Sequence, residues 1–288
     1  MTTPGTPGTP GTAAVRLAIT LGDPRGIGPE VTRAALSALE GVRAGRDATA
    51  APSFLLVGPR EADDGSFPFE ATRAPADDPG LAAGEAIERA TELALAGEVD
   101  GIVTAPLHKP SLIAAGFEYP GHTEMLQALS GSDAVGMLMC LEPTAATNTD
   151  RLRVLLATTH IPLSAVPQAV TKDLIERQTR LLGRALQADW CIPHPRIALC
   201  ALNPHASDGG LFGDEEERVY APALEALSQE TWSTTGPIPA DTVFHRALQG
   251  EFDAVVAPYH DVGMAAFKTA AFGAGVNVTI GLPFVRTS

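Results

Sequence analysis

The chain reads as an α/β protein with a largely parallel sheet. Three observations predict this. Short apolar runs that suit buried strands alternate with segments of helical period. The strand runs are continuous rather than alternating in polarity, as in sheets covered on both faces. Polar segments rich in Gly, Pro and His follow one strand run after another, at the carboxyl ends where open α/β sheets bind ligands.

The elements follow in order. Pro-Gly-Thr recurs through residues 4–12 and has nothing to bury, so residues 1–13 are expected to be a disordered tail. Arg16–Leu21 suits a strand, and Gly28–Leu39 a helix entered through a Gly/Pro-rich turn. A strand is expected at Phe54–Val57, then a helix over Ala82–Leu95 with Ala83, Ala86, Ala90 and Leu93 on one face. Gly101–Ala105 suits a strand and Thr123–Leu129 a short helix; Ala134–Leu141 and Leu152–Thr158 are strand-like runs. The clearest helix spans Thr171–Ala188, with Thr171 as N-cap and Leu174, Ile175, Gln178, Leu181, Leu182 and Leu186 as its inward stripe. Arg196–Leu202 is read as a strand, Glu215–Leu227 and Asp241–Leu248 as helices, and Ala254–Pro258 and Val276–Ile280 as strands.

The 288 residues carry a formal net charge of -14, from 20 Lys+Arg against 34 Asp+Glu, which argues against a nucleic-acid partner. No run has the length of a membrane span, and no basic-then-apolar signal opens the chain, so a cytoplasmic protein is expected. The three cysteines, Cys140, Cys191 and Cys200, lack Cys-x-x-Cys spacing and are read as reduced core thiols. Asn277-Val278-Thr279 matches a glycosylation acceptor by chance.

His108, His122, His160, His205 and His260 all follow predicted strand ends. A single such histidine is ordinarily a loop residue satisfied by backbone. Three imidazoles from separate strands, however, can converge on a divalent metal with coordination positions left open, which makes His160, His205 and His260 candidate ligands. The Gly22–Glu30 turn lacks the Gly-x-Gly-x-x-Gly fingerprint; it is either a tight strand-to-helix turn or an anion site at a helix N-terminus. The Ser207–Gly213 stretch is either a plain loop or a cover over a ligand. Lys109, Lys268 and Arg286 lie in apolar or Gly-rich surroundings, where Lys as a point charge and Arg as a bidentate clamp suit an anionic substrate.

Taken together, these motifs resemble one family, the 4-hydroxythreonine-4-phosphate dehydrogenases of pyridoxal phosphate biosynthesis and their paralogues. The matching stretches are Gly22-Asp23-Pro24-x-Gly26-Ile27-Gly28-Pro29-Glu30, Thr104-Ala105-Pro106-Leu107-His108-Lys109 and Gly121-His122-Thr123-Glu124. They continue as Thr159-His160-Ile161-Pro162-Leu163, Leu202-Asn203-Pro204-His205-Ala206, Pro239-Ala240-Asp241-Thr242, Tyr259-His260-Asp261 and Gly281–Ser288. The resemblance implies an isocitrate/isopropylmalate dehydrogenase-like fold of two α/β/α domains with a cleft between them. The first domain would be discontinuous, residues 14–125 and 259–288, and the second would be 126–258.

The resemblance further implies a homodimer with a shared active site, NAD, and a divalent ion (Zn, Mg or Co) on His160, His205 and His260. Substrate contacts fall on His122, Thr123, Lys268, Asn277 and Arg286. Asp241, Asp261 and Lys268 are the candidate catalytic groups, the two aspartates for proton transfer or for orienting ligand histidines. The implied reaction oxidises 4-phosphohydroxy-L-threonine to a β-keto acid, which then decarboxylates. Paralogues instead act on 4-phospho-D-threonate or erythronate, or on aromatic cis-dihydrodiol carboxylates, and a non-catalytic metabolite-binding relative is the alternative from another class. Two departures bear on this. Arg25 stands where the family usually has Ala, beside the expected cofactor or substrate. Family members also continue past Arg-Thr-Ser, so part of the cofactor site is expected beyond Ser288, with the chain a truncated or inactive relative.

Overall fold

The computed structural model describes residues 14–43, 52–143 and 151–288, so the expected tail lies outside the described residues. Its contacts group into two compact units, Met1–Leu129 and Ser130–Ser288. The α/β class expected from the sequence is the one the chain adopts.

In the first unit four parallel strands, β1 (Arg16–Thr20), β2 (Ser53–Pro59), β3 (Phe69–Thr72) and β4 (Gly101–Thr104), stand in the order β3-β2-β1-β4. The helices are α1 (Gly28–Arg43), α2 (Pro79–Leu95), α3 (Lys109–Ala114) and α4 (His122–Ser130). Asp78 caps α2 by accepting from the Leu81 amide, and Pro79 starts it without wasting a donor. Ala82, Ala83, Ala86 and Ala90 are buried along α2, as its alanine face predicts. The four-residue β3 and the six-residue α3 carry no long apolar run and escaped the sequence reading.

The second unit begins with β5 (Gly136–Leu141), β6 (Leu152–Leu156) and β7 (Arg196–Cys200). It continues with β8 (Ser233–Ile238), β9 (Ala254–Ala257), β10 (Val276–Ile280) and β11 (Val285–Thr287), in the order β11-β10-β5-β6-β9-β7-β8. The strand pairings are largely parallel, as expected, with a local exception in this unit: β5 runs antiparallel to both β6 and β10, and β10 antiparallel to β11. β5 ends at Leu141 and β6 begins at Leu152, a separation too short for a parallel crossover, which needs about a dozen residues or more.

The helices of this unit are α5 (Val166–Ala169), α6 (Lys172–Ala188), α7 (Ala221–Leu227), α8 (Ala240–Leu248) and α9 (His260–Ala271). Successive strand residues feed opposite layers. Leu155, Leu199 and Val256 pack with Ile175, Leu182 and Leu186 of α6. Val154, Leu156, Ala198 and Val255 pack with Val243 and Phe244 of α8 and Phe267 of α9. Each buried Val, Leu, Ile or Phe among these contributes about 1.5–3 kcal/mol, and the Thr171 cap bonds the Leu174 amide at 3.2 Å as expected.

Residues 259–288 group with this second unit, where the sequence reading returned them to the first. The reason is local: Phe267 of α9 sits in the core beside β6 and β9, and β10 pairs with β5. Cys140 and Cys200 are buried thiols, but Cys191 is exposed in the turn after α6, contrary to its reading as a core residue. Among the described residues no helix is long and apolar enough to cross a membrane.

Candidate active site

The parallel ladder of β6 and β9 continues past both strands. The Ala157 amide bonds the Ala257 carbonyl at 2.8 Å, and the Thr158 hydroxyl bonds the Pro258 carbonyl at 2.9 Å. Both chains then leave the sheet in step and deliver His160 and His260 side by side, ring centroids 5.5 Å apart and planes inclined by 45°. Two imidazoles on one tetrahedral ion, with metal–nitrogen bonds of about 2.1 Å, place their centroids about 5 Å apart, so this pair suits shared coordination. The rings border a hollow of about 140 Å³ with Thr159, Leu163, Tyr259 and Asp261. Asp261 Oδ1 lies 2.7 Å from His260 Nδ1. A proton on Nδ1 donated to this carboxylate leaves Nε2 free for a ligand, the usual carboxylate–histidine arrangement at metal sites.

His205 is delivered by β7, the other neighbour of β9. It occupies a run of left-handed residues, with φ of 52° at His205, 53° at Ala206, 67° at Ser207 and 44° at Asp208. Its ring lies 6.4 Å from that of Phe212. Among the described residues no three His, Cys, Asp or Glu side chains come together as a metal cluster. The chain therefore brings two of the three expected ligands together and leaves His205 outside the pair.

Asp241 stands in the first turn of α8. Burial pushes the Cys200 thiol up to about 12, and the Asp241 and Glu216 carboxylates add to this, so the thiol is held in its neutral form. Lys268 lies on the solvent-facing side of α9. Arg286, by contrast, is 4% exposed. It is the cross-strand partner of Thr279 and donates to the Thr279 hydroxyl at 3.0 Å. Asn277, two residues before Thr279, shares that face, and its Oδ1 is buried without a hydrogen-bond partner. Strand pairing thus brings Asn277 and Arg286 onto one polar face. Thr279, half of the chance glycosylation match, is buried there and was missed as a partner.

In the first unit, His122 and Thr123 form the first turn of α4. Lys109 opens α3, and its Nζ would lie 3.8 Å from a Cβ built on Gly121, so its charge hangs over the start of α4. His108 bonds Ser111 locally, the ordinary loop outcome. Packing accounts for two glycines of the Gly22–Glu30 turn. A Cβ on Gly22, at φ +68°, would fall 2.1 Å from the Pro106 carbonyl oxygen, and one on Gly28 2.3 Å from that of Leu21. Arg25 reaches Asp23 at 3.7 Å and is otherwise in solvent, with 61% of its side chain exposed.

Sequence reasoning also missed Glu216. It sits in the run Glu215-Glu216-Glu217, which looks like a solvated helix face, yet it is 6% exposed. Its Oε1 accepts from the Leu202 and Asn203 amides at 2.9 and 2.8 Å, and its Oε2 from Asn203 Nδ2 at 2.9 Å and from the Ser207 hydroxyl. Burial raises its pKa, but these bonds outweigh burial and hold it below the usual carboxylate range.

The architecture is shared with solved dehydrogenases. A 4-hydroxythreonine-4-phosphate dehydrogenase structure from Klebsiella pneumoniae superposes with a TM-score of 0.78 at 35% identity, covering 96% of this chain and 90% of that one. With its curated relatives named as dehydrogenases, the chain is an α/β oxidoreductase. A 4-hydroxythreonine-4-phosphate dehydrogenase from Ruegeria sp. is 39% identical over 94% of this chain and 87% of its own length. A D-threonate 4-phosphate dehydrogenase from Pectobacterium atrosepticum is 37% identical over 94% and 89%. Residues 53–288 match the family described as Pyridoxal phosphate biosynthetic protein PdxA, and the chain belongs to that family.

Proposed function

We propose that the chain is an NAD- and divalent-metal-dependent dehydrogenase that oxidises 4-phosphohydroxy-L-threonine to 2-amino-3-oxo-4-phosphooxybutanoate. The product then decarboxylates to 3-amino-2-oxopropyl phosphate. The observation that carries this reading is the His160–His260 pair at the ends of β6 and β9 in a member of the PdxA family. A divalent ion held there would supply Lewis acidity at the substrate hydroxyl, and NAD, which enters through the family alone, would supply the hydride acceptor. Imidazole donors suit Zn or Co better than Mg.

The chain's own residues do the rest. Asp261 orients His260. Arg286 and Asn277, with Lys268, His122 and Thr123, are assigned the phosphate and carboxylate of the substrate. Asp241 is the remaining carboxylate for proton transfer. In the reaction the hydroxyl proton and the hydride leave the carbinol, and the resulting β-keto acid loses CO2. Leu163, Leu211 and Phe212, exposed by 68%, 72% and 45% beside the histidines, support a homodimer in which a second copy completes the site.

The test is NADH formation on mixing the protein, NAD, Zn²⁺ or Co²⁺ and 4-phosphohydroxy-L-threonine. Turnover lost in the His160→Ala variant supports the reading, and no NADH with any divalent ion sinks it. The second reading, D-threonate 4-phosphate as substrate, is favoured by the Pectobacterium relative. It wins if kcat/KM is higher for that compound.

A further inference from the structure

We propose that Glu216 is a positioning residue that sets the conformation of the His205 loop, and through it the aim of the His205 imidazole. The inference rests on the reading of His205 as a metal ligand. Four consecutive non-glycine residues, His205–Asp208, stand in the left-handed region. Each costs about 1–2 kcal/mol there, so the loop needs something outside itself to hold it.

Glu216 is that anchor. Its two oxygens take both amides that lead into the loop, at Leu202 and Asn203, and the Ser207 hydroxyl inside it. The carboxylate therefore clamps the loop on both sides of His205. It sits at the first position of a π-helical turn, Glu216–Tyr220, a local irregularity that recurs at functional sites. Glu215 reinforces the clamp by accepting from Asn203 Nδ2 at 2.7 Å. Gly213, at φ +131°, leaves room for that contact, since a Cβ there would lie 2.6 Å from Glu215 Oε2. None of Glu216's hydrogen-bond partners is a cation, so its charge is held by donors from the loop it shapes.

A glutamine at 216 keeps the shape but can serve only part of this donor set, because its amide nitrogen would face the Asn203 and Ser207 donors. The experiment is calorimetric titration of the full chain with Zn²⁺ and with Co²⁺, using wild type, Glu216→Gln, Ser207→Ala and His205→Ala. Amide hydrogen exchange of residues 202–210 is followed alongside. Expected are about a 10–100-fold loss of metal affinity in Glu216→Gln, a smaller loss in Ser207→Ala, and faster exchange in the loop for both. Wild-type affinity and exchange in Glu216→Gln, with affinity lost in His205→Ala, overturns the proposal. If Glu216→Gln does not fold, Ser207→Ala decides by the same two readouts. Wild-type affinity in His205→Ala shows instead that the metal reading has failed, and the proposal falls with it.

Discussion

Asp261→Asn should weaken divalent-metal binding about tenfold without unfolding the protein. The 2.7 Å contact between Asp261 and His260 Nδ1 fixes which ring nitrogen carries the proton and which way the ring faces. Loss of such an orienting carboxylate costs about 10–100-fold in metal affinity. The Asp261 side chain is 86% exposed, so water competes for its charge and the lower end applies. That is about 1.4 kcal/mol. His260→Ala removes the proposed ligand rather than its support and should cost more than 100-fold by comparison. Calorimetric titration with Zn²⁺ checks both. A second readout is thermal: an ion at 100 times its Kd stabilises by about 2.7 kcal/mol, and the ion-induced rise in Tm should shrink in Asp261→Asn and vanish in His260→Ala. Equal affinity in wild type and Asp261→Asn, with His260→Ala impaired, would refute the orienting role. An Asp261→Asn loss as deep as that of His260→Ala would make Asp261 a ligand itself.

Arg286→Lys should raise the KM for the phosphorylated substrate about 10–100-fold in steady-state kinetics, because the planar fork is replaced by a point charge. An unchanged KM would remove Arg286 from the substrate site. Gly28→Ala should destabilise the protein by about 2 kcal/mol or more in urea unfolding, since the added methyl meets the Leu21 carbonyl oxygen and not a movable side chain. A neutral result would contradict the packing account of that turn. Burial raises the Asp253 pKa, but the Arg196 side chain and amide outweigh it and leave the carboxyl depressed. Its stabilisation is therefore present above the unfolded pKa of about 3.9 and lost as pH falls through the lower folded value. The stability gap between wild type and Asp253→Asn should accordingly be full at pH 6 and shrink below about pH 4; a gap that widens in acid would reverse the sign of the argument.

Much of the site was legible because the chemistry-bearing residues follow strand runs that hydrophobic patterning identifies. His160, His205 and His260 could be named from their places after β6, β7 and β9. Their pairing could not, because it depends on which strands are neighbours: β6 lies beside β9, some hundred residues away in the chain. The polar face of Asn277, Thr279 and Arg286 was hidden for the same reason, since β11 is three residues long and gains its meaning from β10. Glu216 was invisible because a carboxylate in a Glu-Glu-Glu run declares nothing about burial.

The sequence by itself determined the α/β class, the helix α6 with its Thr171 cap, the family, and the roster of candidate residues. These follow from local periodicity, capping chemistry and ordered motifs. The tertiary structure alone decided that β5 and β10 run antiparallel, that residues 259–288 group with the second unit, and that Arg25 faces Asp23. It also decided that Gly22 and Gly28 sit where backbone approaches too closely for a side chain, and that a buried carboxylate holds the His205 loop. The strand directions, the grouping of residues 259–288 and the approach of Gly22 to Pro106 depend on contacts between residues distant in the chain, and the burial of Glu216 and the aim of Arg25 on side-chain geometry, none of which a local pattern encodes.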